Sequence, residues 1–205
     1  AVRKRLSKLE AMQRMYTQKF VQTGNSCGAA TLMIALHEID SNNKIDATTE
    51  AALYANTRDP VLAGLLGQTN VSDYPSSPQN IKKTAESSGL QATLHEKDDV
   101  GALPNAIATL KTHYIDALHP AKADIPGMKS LMDKGPLQLL VYLNGDHKQM
   151  HWLLLRRDGG KYYLYDTAYG TNQAVNADDI LKFDAQFHTG RQNNFFGIAF
   201  HLTKV

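Results

Sequence analysis

Hydrophobic positions along this chain change their spacing near residue 134. Before it they recur every three or four residues between polar positions; after it they run together or alternate. The first pattern predicts helices and the second predicts strands. From Val2 to Tyr16, Leu6, Leu9, Met12, Met15 and Tyr16 keep helical spacing. A polar loop, Gln22, Thr23, Gly24, Asn25 and Ser26, then leads to Cys27 and an apolar run of Ala29, Ala30, Leu32, Met33, Ile34, Ala35 and Leu36. That predicts a buried helix with Cys27 in its first turn. After the turn SNNKID, Ala47 to Asn56 is a second helix, with Thr48 or Thr49 placed as its cap and Glu50 in its first turn. The run from Val61 to Gly67 is apolar but broken by glycine, and is assigned to neither helix nor strand.

Ser77-Pro78 opens a helix that reaches Ser88 and stops at Gly89. Gln91 to His95 is a short strand, Pro104 to Leu110 opens a helix, and Gly127 to Lys134 is a short helix halted by Gly135-Pro136. Leu137 to Leu143 (LQLLVYL) is then a buried strand, and NGDHKQ a turn. His151 to Arg157 is a second strand, and Lys161 to Thr167 a third across the hairpin signal Asp158-Gly159-Gly160. Ala177 to Phe183 is a helix capped by Asn176, and the alternating NFFGIAFHL is a last strand of the same sheet. Helices first and an antiparallel sheet last make an α+β plan in one domain, with a helical lobe over about 1–134 packed on a sheet lobe over about 135–205.

Composition narrows the function classes. With 205 residues, 42% of them hydrophobic, the chain suits one sizeable core. A net charge of +2 without a dense Lys/Arg run past the N-terminus argues against a nucleic-acid partner. The basic residues Arg3, Lys4, Arg5 and Lys8 make a solvated face of the first helix. No apolar run approaches the roughly 18–20 residues of a membrane span, and the N-terminus has no apolar core of a secretory signal. The first residue is Ala, which leaves room for a longer parent chain. A single cysteine allows no internal disulfide, which fits a reducing compartment and is compatible with secretion. A monomer without metal or cofactor is expected.

The chemistry centres on that cysteine. Unpaired N–H groups and the positive dipole end at a helix start favour a thiolate, the nucleophilic form. A thiol nucleophile needs a base, and imidazole suits neutral pH. Of eight histidines, His151 stands apart because it begins an apolar strand after a polar turn; His147 is its near rival. Asp166 ends the strand across the hairpin, fifteen positions on, so that it meets His151 at one end of the ribbon and orients the ring. Gln22, five positions before Cys27, offers an amide that joins the Cys27 N–H in an oxyanion hole.

With these residues in view, the chain resembles the papain-like cysteine peptidases, in particular the small bacterial branch of double-glycine leader peptidases and type III effector proteases. The resemblance rests on QTGNSCGAATLMIAL, GPLQLLVYL, MHWLLLRR and YYLYDTAYG, between Gln22 and Gly170. It implies a papain-like fold, with Cys27 as nucleophile, His151 as base, Asp166 as orienter and Gln22 as oxyanion donor. Two departures stand out. The interval from Gln to Cys is one residue shorter than usual in that branch, and Thr167 stands where it often has Pro. No transporter or ATPase segment adjoins, so an exporter's peptidase domain is not expected. The implied activity is peptide cleavage through a thioester, in a bacterial effector or toxin. The same four residues serve glutamine deamidation or acyl transfer, which share the thioester. A cell-wall amidase, which also places Cys at a helix start and His on a strand, is the second enzymatic alternative, one that an export signal would favour. A binding module that keeps only the fold is the non-enzymatic alternative.

Overall fold

The structure, a computed structural model, describes residues 20–97, 103–143, 146–182, 186–188 and 192–205. The expected first helix, with its basic face, lies outside them. Helix α1 (Cys27–Ile39) is buried from Cys27 to Glu38, as its unbroken apolar sequence requires. Helix α2 (Ala47–Thr57) is capped by Asp46 rather than by Thr48 or Thr49: Asp46 is extended, and its carboxylate accepts from Thr49 N at 2.7 Å. A carboxylate one residue ahead of the helix reaches the free N–H groups that a hydroxyl inside the first turn does not. The unassigned run after Asp59 contains a helix, α3 (Pro60–Leu65), started by the Asp59 carboxylate bonding Val61 N and Leu62 N and by proline in its first turn. Val71–Asp73 forms a 3-10 turn. Helix α4 (Pro78–Ser87) has the expected Ser77 cap, and Gly89 ends it at φ +92°.

Strand β1 (Leu90–Lys97), helix α5 (Asn105–Leu118), strand β2 (Ala121–Ala123) and helix α6 (Ile125–Leu131) follow. Then come β3 (Leu137–Leu143), β4 (Asp146–Asp158), β5 (Lys161–Asp166), β6 (Thr171–Val175), α7 (Ala177–Ile180), β7 (Gln186–His188) and β8 (Gln192–Lys204). The sheet order is β2-β1-β8-β3-β4-β5-β6, with β7 also on β8. The α+β plan therefore holds, with helices from Cys27 onward packed on a mostly antiparallel sheet. Two strands from the earlier part of the chain join that sheet: β1 pairs antiparallel with β8, and β2 pairs parallel with β1. Neither β2, three residues long, nor the polar β6 carries a strand signal in its own sequence.

Both faces of the sheet are covered, which explains why HWLLL is apolar without alternation. Trp152, Leu154, Tyr165, Phe196 and Phe200 pack with Leu32, Ile34 and Leu36 of α1. Leu153, Leu155, Leu164, Phe195 and Ala199 face Met128, Ile180 and Leu181 on the other side. A buried ion pair, Arg156 Nε to Glu38 Oε2 at 2.7 Å, ties the end of α1 to β4. The Gly135-Pro136 stop also serves packing. A Cβ on Gly135 would stand 2.0 Å from the Leu202 carbonyl oxygen, so only glycine lets β8 pass there.

Candidate active site

The first turn of α1 is clamped to the sheet. Gln138 Nε2, on β3, donates to Gly28 O at 3.0 Å, and Thr31 Oγ1 donates to Trp152 O, on β4, at 3.2 Å. Trp152 Nε1 donates in turn to Ser76 O. Ser76 lies so close to α1 that a Cβ on Gly28 would be 2.5 Å from its own Cβ, which accounts for glycine after the cysteine. These contacts bring Cys27, only 4% exposed, against His151, the neighbour of Trp152 on β4.

His151 is inside β4 and not at its start, because the strand begins at Asp146 and the expected turn is shorter. The meeting with Asp166 stands nonetheless. Leu154 pairs with Tyr165 across the hairpin, and continuing that register puts Asp166 opposite Leu153, two positions from His151. Residues two apart on a strand share a face, so the two side chains are diagonal neighbours. His151 Nε2 and Asp166 Oδ1 are 2.6 Å apart, and both residues are fully buried. The same Oδ1 accepts from Ala168 N at 2.9 Å, which fixes the carboxylate. The His151 ring also hydrogen-bonds Cys27. With Nε2 turned to Asp166, Nδ1 is the atom for the sulfur.

Charge at this site is set by its neighbours. Burial works against protonation of His151 and is the largest single influence. It is outweighed by the Cys27 charge, the hydrogen bonds from Asp166 and Cys27, and the Asp166 charge, which together push His151 up to about 9 from 6.5. Such a site favours an imidazolium beside a thiolate.

Gln22 sits where the loop meets the strand end. Its backbone N–H donates to Thr167 O at 2.8 Å. Its Oε1 accepts from Thr167 Oγ1 at 2.9 Å, and its Nε2 donates to Gly24 O at 2.9 Å. Gln22 and His151 both line a cleft of about 460 Å³, shared with Asn25, Leu66, Asp73 and Met150. The structure thus brings Cys27, His151 and Asp166 into contact and puts Gln22 on the same cleft. The His147 side chain lies outside the described residues.

Sequence reasoning missed Glu50 and Thr167. Glu50, on α2, is buried, and its Oε2 accepts from Thr23 N at 3.1 Å and Ser26 Oγ at 2.9 Å. It holds the stretch between Gln22 and Cys27. In the sequence it is one more acidic residue in a first helical turn, and no spacing singles it out. Among the described residues no cluster of three or more His, Cys, Asp or Glu could hold a metal ion. Also among them, no helix is long and apolar enough to cross a membrane.

Two solved structures are similar to this one. A double glycine motif protease from an AMS/PCAT transporter, in complex with the leader peptide, matches at 16% identity and a TM-score of 0.44, over 91% of this chain and 90% of that one. The Pseudomonas avirulence protein AvrPphB matches at 12% identity and a TM-score of 0.43, over 88% of this chain and 92% of that one. No family model and no curated protein matches the chain by sequence.

Proposed function

We propose that the chain is a single papain-like catalytic domain that cleaves peptide bonds with Cys27, His151 and Asp166. One observation carries this reading: a fully buried imidazole bonded to the only thiol on one side and to a buried carboxylate, at 2.6 Å, on the other. A structural histidine would need neither the cysteine nor an opening to a cleft.

In this reading His151 holds the Cys27 proton, and the thiolate attacks the scissile carbonyl carbon. A C–S bond forms and the carbonyl π pair moves to oxygen, where Gln22 Nε2 and the Cys27 N–H donate to it. As the pair returns, the C–N bond breaks and His151 gives its proton to the leaving amine. Water then attacks the thioester with His151 as base, and releases the acid and the thiol. Asp166 keeps Nε2 protonated throughout, so that Nδ1 faces the sulfur. The substrate expected is an extended protein or peptide segment lying in the cleft.

The test is turnover of an internally quenched peptide library, with products weighed by mass spectrometry. Wild-type protein should yield two fragments that together gain one water, and Cys27→Ala should yield none while keeping its fold. Full activity in Cys27→Ala would end the thiol reading. A gain of about one mass unit on an intact peptide, the sign of an amide turned to an acid, would replace peptidase with deamidase.

A further inference from the structure

Thr167 follows Asp166 directly and is fully buried. It meets Gln22 twice: its carbonyl accepts the Gln22 backbone N–H, and its hydroxyl donates to Oε1 at 2.9 Å. A primary amide has an accepting end and a donating end of nearly equal shape. Only the nitrogen end stabilises an oxyanion, so half a turn about the last side-chain bond would convert a donor into a repulsive oxygen. We propose that Thr167 is the positioning residue that fixes the Gln22 amide with its nitrogen toward the substrate oxygen. The inference rests on the reading of Gln22 as oxyanion donor.

The Gly24 carbonyl, which only accepts, selects the orientation, and the Thr167 hydroxyl holds the amide in it. The Thr167 hydroxyl gives its proton to Oε1, and the Gly24 carbonyl accepts from Nε2 at 2.9 Å. In the turned amide, Oε1 would face the Gly24 carbonyl, oxygen against oxygen. The second N–H of Nε2 meets no acceptor among the described residues and stays available on the cleft that Gln22 lines. The last residue of β5 and the one that follows it thus serve both halves of the chemistry. Asp166 orients the base, and Thr167 orients the oxyanion donor.

The experiment compares two reagents on the same thiol. With p-nitrophenyl acetate, Cys27 forms a C–S bond, the carbonyl pair passes through an oxyanion, and p-nitrophenolate leaves. With iodoacetamide, the sulfur displaces iodide and no oxyanion forms. Both rates are referred to the titrated thiol, so a partly unfolded preparation still gives their ratio. Thr167→Val should slow acetylation about 10-fold, less than the roughly 10²–10³ of losing an oxyanion donor outright, and leave alkylation unchanged. Thr167→Ser should restore acetylation. In a Gln22→Ala background, Thr167→Val should add no further loss, because a residue acting through another has no separate effect. Wild-type acetylation in Thr167→Val, or both rates falling together, would overturn the inference while leaving Gln22 in its role. Unchanged acetylation in Gln22→Ala would overturn the role of Gln22, and this inference with it.

Discussion

The two halves of the site are built in different ways. The half proposed for acid–base work, His151 and Asp166, belongs to one β-hairpin and needs only local register to meet. The other half is the loop from Gln22 to Cys27. Its shape depends on Glu50 of α2, on Thr167 some 145 positions along the chain from Gln22, and on the close pass of Ser76 over Gly28. A hairpin sets its own geometry, because each side chain's face and partner follow from the turn. A loop between an irregular segment and a buried helix has no such rule, and distant residues must hold it in place. Damage to the first half should therefore strike the proton inventory, and damage to the second should strike geometry and stability.

The largest separation is expected at Asp166. Asp166→Ala should lower turnover roughly 10- to 1,000-fold, the scale of one positioned catalytic group. Asp166→Asn should cost less, since an amide still orients the ring. Its effect should appear in the pH profile. His151 is raised to about 9, and two of the raising influences come from Asp166, its hydrogen bond and its charge. The folded protein thus binds this proton more tightly than the unfolded chain does. The stabilisation it contributes is complete below about 6.5, the unfolded value, and is lost as pH rises through about 9. Removing the carboxylate charge should move the alkaline limb of activity to lower pH. An unmoved limb would detach Asp166 from the base.

A smaller, differently shaped effect is expected at Glu50. Glu50→Ala leaves Thr23 N and the buried Ser26 hydroxyl without their carboxylate. The cost should be about 1–3 kcal/mol in chemical denaturation, the usual penalty for a lost partner of buried polar groups. Activity should fall through loss of loop geometry, with the alkaline limb still near 9. A shifted limb with unchanged stability would mean that the halves are not separable in this way.

The same contrast decides what the chain revealed in advance. His151, Asp166 and their meeting follow from a hairpin signal and a strand period, both short-range features. Cys27 at a helix start follows from a polar loop and an apolar run. The pairing of β1 with β8 and the place of β2 are not legible, because no local pattern names a strand's distant partner. The Asp59-Pro60 start of α3 was a readable capping signal, masked by Gly64 within a short run. Glu50 and Thr167 act across 27 and 145 positions of chain and look ordinary where they stand. Thr167 even marks a departure from the resembled branch at the position where its hydroxyl makes contact.

The central claim is that His151, bonded to Cys27, controls the reactivity of the thiol. The most direct measurement is the rate of Cys27 alkylation by iodoacetamide across pH 5 to 10, in wild-type protein and in His151→Ala. The wild-type thiol should react already at about pH 6–7, below the ordinary thiol range near 8.5, with a second change near 9 as the imidazolium loses its proton. In His151→Ala the reactivity at pH 6–7 and the inflection near 9 should both vanish, leaving the single titration of an isolated thiol. Superimposable profiles in the two proteins would contradict the account.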